Sequence, residues 1–146
     1  MNQPTLRFSV SGPERVKPGE AVSLEFTLSN DGAEPVLVNG RFVVDEGDGL
    51  DGHFEVSFDV TGPDGEPLSF LADVDGFEPG PEDFVVVAPH GHHTASARLD
   101  HFFRFSAPGT YRLSATYRNT LPVERSGLRA FVGTLTAPPV ELSVSP

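Results

Sequence analysis

Val22-Ser23-Leu24-Glu25-Phe26-Thr27-Leu28-Ser29 alternates apolar and polar side chains without a break. A pleated strand turns successive side chains to opposite faces. This stretch therefore lays Val22, Leu24, Phe26 and Leu28 against a core and leaves Ser23, Glu25, Thr27 and Ser29 toward water. The same period of two extends in both directions. Upstream, Leu6, Phe8 and Val10 alternate until Gly12-Pro13, and Lys17-Pro18-Gly19 punctuates the link. Downstream, Asn30-Asp31-Gly32 is turn chemistry, and residues 35–44 read as the next strand, bulged near Gly40.

Further along, Phe54, Val56, Phe58 and Val60 alternate up to Gly62-Pro63-Asp64-Gly65, where Pro pre-sets φ and Gly supplies φ > 0. Residues 68–74 predict a shorter strand, and residues 76–81 a proline-rich loop. Phe84-Val85-Val86-Val87 is a continuous apolar run of the kind expected for a strand buried on both faces or at a sheet crossing. Residues 89–93 turn the chain, Ala95, Ala97 and Leu99 alternate, and residues 100–105 suit an irregular or 3₁₀ turn. Tyr111, Leu113, Ala115 and Tyr117 form another strand, residues 119–127 a polar loop, and residues 128–136 a further strand. Val140, Leu142 and Val144 close the series.

No helical period occurs anywhere. About nine strands joined by short turns predict an all-β, antiparallel, immunoglobulin-like β-sandwich spanning residues 1–146 as one domain. A closed barrel is the alternative, and the uneven loop lengths favour the sandwich. With 12 Phe and no Trp, the core is expected to be built mainly from Phe and Val.

Composition narrows the function. Asp plus Glu total 21 against 10 for Lys plus Arg, a net charge of −11, the wrong sign for neutralising phosphates or anionic lipid. Nucleic acid is therefore not expected as a partner. No stretch approaches the roughly 18 apolar residues of a membrane helix, so membrane insertion is not expected either. The absence of Cys removes disulfides, thiolate metal sites and a cysteine nucleophile. The N-terminal residues carry no apolar leader, which predicts a cytoplasmic product or the mature domain of an exported precursor.

Pro108-Gly109-Thr110-Tyr111-Arg112-Leu113 resembles the tyrosine corner of immunoglobulin-like domains, in which a Tyr hydroxyl ties a strand start to the loop before it. Leu113 stands where antibody domains carry a cysteine. A narrower resemblance rests on four blocks: Val22 to Val36 with its Asn30-Asp31-Gly32 turn, Glu82-Asp-Phe-Val-Val-Val-Ala-Pro89, Pro108-Gly-Thr-Tyr-Arg-Leu-Ser-Ala-Thr-Tyr-Arg-Asn119, and Gly133-Thr-Leu-Thr-Ala-Pro-Pro-Val140. Together they look like the β-sandwich domain that precedes the catalytic domain in bacterial deuterolysin-type (peptidyl-lysine) zinc metallopeptidases. The zinc signature His-Glu-x-x-His of those enzymes is absent, so no catalytic residue carries over. The resemblance implies a non-catalytic module with a protein partner, acting as a pro-region-like restraint or inhibitor of a peptidase. A carbohydrate-binding or surface-adhesion module and a structural scaffold remain the alternatives, and the oligomeric state is open.

Candidate contact residues fall in three places. His90, His92 and His93 crowd one segment, and neutral imidazoles can ligate zinc or nickel. Pro89 and Gly91 place them in a turn with no nearby carboxylate to complete a site, so a loop is the expected role. Asp45, Glu46, Asp48, Asp51 and Glu55 gather on a Gly-rich stretch without EF-hand spacing. They predict a solvated loop able to steer a basic partner. Arg125 is the kind of exposed side chain that could enter a protease cleft, and a mobile solvent loop over residues 119–127 is the expected reading. No nucleophile elbow, P-loop or dinucleotide fingerprint is present, and neither catalysis nor a cofactor is expected.

Overall fold

The computed structural model describes residues 6–41, 44–46, 55–68 and 81–146. In chain order the strands are β1 (Leu6–Ser11), β2 (Arg15–Val16), β3 (Ser23–Asn30), β4 (Val36–Asn39), β5 (Val44–Glu46) and β6 (Val56–Thr61). After a 3₁₀ turn at Pro81–Asp83 come β7 (Phe84–Val87) and β8 (His92–Arg98). A second 3₁₀ turn at Leu99–His101 precedes β9 (Gly109–Asn119), and β10 (Glu124–Arg125), β11 (Leu128–Arg129), β12 (Gly133–Thr136) and β13 (Val140–Val144) complete the series. The described residues hold no helix long and apolar enough to cross a membrane.

The chain is an all-β sandwich with mostly antiparallel sheets. The two main sheets run β1-β3-β8 and β2-β13-β9-β6-β5, with β12 also on β9, while β4 pairs with β7 and β10 with β11 as two-stranded sheets. Strand β9 is the spine of the larger sheet. Its alternating Tyr111, Leu113, Ala115 and Tyr117 are buried; β6 pairs along one edge, and β13 then β12 share the other. Phe8, Leu24, Phe26 and Leu28 face Phe58, Val60, Leu142 and Val144 across the core. The Phe26 and Phe58 rings bridge the sheets with centroids 5.6 Å apart, and Phe8 reaches Tyr117 at 5.9 Å. Each such ring removes enough apolar surface from water to stabilise the fold by roughly 1.5–3 kcal/mol.

The tyrosine corner forms as its sequence suggests. The Tyr111 hydroxyl donates to the Ala107 carbonyl at 2.7 Å, and its ring stands edge-on to Phe105 at 5.1 Å. Gly109 beneath it has φ 131°, and a Cβ there would meet Pro63 at 2.6 Å, so only glycine fits the corner.

Several expectations are corrected. Strand β7 is not buried on both faces, since Val86 is 47% exposed. The doubly buried strand is β4, all four residues of which are buried. The reason is its position between two cores: Val36 and Val38 face the main one, while Leu37 joins Phe84 and Ala130 in a smaller one. The 119–127 segment is not all loop; β10 and β11 pair as a hairpin over Ser126 and Gly127, whose positive φ values of 53° and 79° match a tight two-residue turn. The strand expected over 128–136 is accordingly split into β11 and β12. Two short pairings, β2 with β13 and β5 with β6, are parallel. The strands are more numerous and shorter than the about nine expected from turn spacing. Residues 69–74 and 76–80, part of the expected short strand and proline-rich loop, lie outside the described residues.

Candidate interaction surface at the loop-bearing end

Strands β3, β4 and β9 each end on an asparagine, and all three side chains are buried: Asn30, Asn39 and Asn119. An amide at the end of a strand can turn back on its own backbone, and each of these does so. Asn30 Oδ1 accepts the Gly32 amide at 3.0 Å, Asn39 Oδ1 the Arg41 amide at 3.1 Å, and Asn119 Oδ1 the Leu121 amide at 3.4 Å. Their Nδ2 groups then fasten other segments. Asn30 donates to the carbonyls of Glu34 at 2.7 Å and Val87 at 3.1 Å. Asn119 donates to those of Leu121 at 3.0 Å and Phe131 at 2.8 Å.

Asn39 lies at the centre of this end. Its Nδ2 donates to Glu55 Oε2 at 3.1 Å and approaches Asn119 Oδ1 at 3.4 Å, while its carbonyl accepts the Tyr117 hydroxyl at 2.8 Å. Glu55, 3% exposed, receives both prongs of the Arg41 guanidinium, Nε at 2.9 Å and Nη2 at 3.0 Å. Burial, reinforced by the Glu55 charge, pushes the Tyr117 hydroxyl well above its ordinary pKa, so it stays a protonated donor. Every described buried side-chain polar atom has a partner. These groups therefore hold backbone in place.

Further ties draw the loops together. The Gly40 amide donates to the Asp83 carbonyl at 3.0 Å, and His93 Nε2 lies 3.1 Å from the Gly40 carbonyl. Arg125 Nη2 donates to the Phe84 carbonyl at 2.8 Å. Beside it Pro122, Val123, Glu124, Arg129, Ala130 and Val132 line a hollow of about 280 Å³, with Val132 51% exposed at the rim.

The sequence-predicted contact residues are placed unevenly. His90 does occupy a turn, with φ 60°, but His92 and His93 belong to β8 rather than to a loop. The strand begins there because Asn30 and Gly91 already pair, the Asn30 amide donating to Gly91 at 2.9 Å. Asp45 lies in β5 opposite Ser57 and not in the predicted loop. Asp48 and Asp51 lie outside the described residues. Arg125 does not project freely; its guanidinium is engaged by the Phe84 carbonyl, which fixes β10 against β7. Among the described residues, no group of three His, Asp or Glu side chains is arranged to hold a metal ion. Composition alone places Glu55 in an acidic loop and does not announce that the three asparagines are buried. The available signal was an Asn closing each apolar run: Leu-Ser-Asn30, Val-Leu-Val-Asn39 and Tyr-Arg-Asn119.

No family model and no curated protein matches the chain. Among solved structures it is similar to the CARDB domain of a Pyrococcus furiosus protein. A crystal structure of that domain in complex with di-metal ions shows 15% identity over 97% of this chain and 94% of that one, with a TM-score of 0.46. A solution structure of the same domain gives 16% identity, coverage of 99% and 98%, and a TM-score of 0.48. A β-glucosidase from Listeria innocua in complex with isofagomine matches 98% of this chain but only 16% of its own length, at 13% identity and a TM-score of 0.40. No residue role is carried over from any of them, and the sandwich assignment stands on the strand pairing itself. The likeness to the deuterolysin-associated domain rests on its sequence blocks alone.

Proposed function

We propose that this chain is a non-catalytic protein-interaction module that recognises its partner with the loop-bearing end of the sandwich. The supporting observation is the meeting of two buried strand-terminal asparagines, Asn39 and Asn119, beside the Arg41–Glu55 pair. Loops held in one shape lose little conformational freedom on docking, and this raises affinity without new contacts. The hollow beside Val132 offers a seat for one apolar side chain of the partner. The net charge of −11 favours a partner with a basic face and speeds encounter more than it tightens binding.

In its finer form, drawn from the sequence blocks, the partner is a zinc endopeptidase whose cleft the module occludes. The test is cleavage of a protein substrate by a deuterolysin-type peptidase with the chain added at near-stoichiometric ratio. Slowed cleavage, relieved by Val132→Asp in the hollow, supports the reading. Unchanged cleavage together with retention on a polysaccharide column moves the assignment to a carbohydrate-binding module. Among the described residues no aromatic ring is exposed as a sugar platform.

A further inference from the structure

Strand β8 reads His92-His93-Thr94-Ala95-Ser96-Ala97-Arg98 and ends the smaller sheet. Its register with β3 fixes which backbone groups face which way. The Asn30 amide donates to the Gly91 carbonyl and the Leu99 amide to the Val22 carbonyl, so His93, Ala95 and Ala97 between them turn their backbone groups to β3. The amides and carbonyls of His92, Thr94, Ser96 and Arg98 therefore point away from it, and all four residues are exposed. Among the described residues no strand pairs with that side. The other edges are treated differently: β2 and β5 are only two and three residues long, and β1 lies beside β12. Proteins usually guard a long open edge with a central charge, a proline or a bulge. The middle of β8, Thr94 to Ala97, has none of these.

We infer that this edge pairs with the same edge of a second copy of the chain, β8 against β8 in antiparallel register about a two-fold axis at Ala95. The pairing places Thr94 opposite Ser96 twice and His92 opposite Arg98 twice. All four outward-facing residues then become hydrogen-bonded pairs, and the hydroxyls of Thr94 and Ser96 meet on the exposed face. The inward positions bring Ala95 to Ala95, too small to clash. Charge selects a second copy as the occupant. In a chain with 21 acidic residues β8 carries none and ends on Arg98, so two copies of this edge meet without a carboxylate on either pairing strand, the nearest being Glu25 of β3 opposite Ser96. Arg98 is itself held by Asp100, with Nη2 to Oδ2 at 2.7 Å. A strand-edge contact buries little area, so the dimer is a weak and concentration-dependent one. This inference is independent of the loop-end reading, and either can fail alone.

Sedimentation equilibrium over a wide concentration range tests it, with Ser96→Pro and the double variant Thr94→Lys/Ser96→Lys as probes. The proline removes an amide that β3 does not use, and the lysines face each other across the axis. The expected result is a monomer–dimer equilibrium in the wild type, weakened at least tenfold by either variant. Thr27→Lys, a charge on the central strand of the same sheet, leaves the equilibrium unchanged, and circular dichroism confirms that every variant is folded. A wild type that stays monomeric at millimolar concentration overturns the inference, as does a dimer indifferent to both variants. Slowed exchange of the Thr94 and Ser96 amides on adding an extended peptide, in a chain that stays monomeric, makes the edge a peptide site and also overturns it.

Discussion

Arg41 closes both prongs of its guanidinium on Glu55, at 2.9 and 3.0 Å, across a separation of 14 residues, in a part of the sandwich where Glu55 is 3% exposed. A bidentate pair of this kind fixes two loop ends in one relative position, since the planar fork tolerates little rotation. The carboxylate also accepts from Asn39, so the pair is tied to the end of β4 as well.

Removing one partner strands a buried charge. Arg41→Ala is expected to destabilise the fold by about 3–5 kcal/mol in urea unfolding, whereas Arg41→Met combined with Glu55→Met costs less than the single change. A double variant that falls as far as the single one would show that the carboxylate is not buried in solution.

Asn119→Ala deletes donors to the Leu121 and Phe131 carbonyls and leaves them unsatisfied near the core. The expected loss is about 1–3 kcal/mol. In nuclear magnetic resonance spectra the shift changes should concentrate between residues 120 and 132. Changes spread evenly over both sheets would deny Asn119 its local fastening role.

Much of the scaffold is visible in the residues themselves. The unbroken alternation of β3, the Tyr111-to-Tyr117 run of β9 and the Pro108-Gly109-Thr110-Tyr111 corner identify a sandwich because strand period and turn chemistry are local properties. The loop-bearing end is not local. Asn39 and Asn119 stand 80 residues apart, and nothing in either neighbourhood says that they meet. Asn is a turn former whether buried or exposed, so its type announces a strand end but not a buried network. Glu55 is hidden for a similar reason: it follows the acid-rich 45–51 stretch, and its cation comes from the far side of that stretch. The two apolar runs β4 and β7 look alike in composition, and only the second small core around Leu37 distinguishes them.

Asp100 supplies a pH-dependent contribution. Its carboxyl is held well below the usual carboxylate range, chiefly by the Arg98 hydrogen bonds and also by the Val22 amide at 2.9 Å. A depressed folded pKa means that the unfolded chain takes up the proton first. The stabilisation is therefore complete above the ordinary Asp value of about 4 and fades as the pH falls below it. Asp100→Asn should be less stable than wild type at pH 7, and the gap should narrow by pH 3 in parallel urea titrations. A gap that is constant or widens with acid would contradict the assignment.

Tyr111→Phe tests the corner. It removes one hydroxyl bonded to Ala107 while keeping the ring against Phe105. The expected cost is about 0.5–1.5 kcal/mol, read as a lower urea midpoint with an unchanged slope. No loss of stability would mean that the hydroxyl is equally well served by water.

The central claim is that the loop-bearing end is already shaped before any partner arrives, and amide hydrogen exchange of the free chain tests it most directly. The amides of Gly32 and Arg41 donate to Asn30 Oδ1 and Asn39 Oδ1 at 3.0 and 3.1 Å. The account predicts that both exchange slowly, close to the neighbouring strand amides of β3 and β9. Exchange of both at the rate of an unstructured peptide would contradict it.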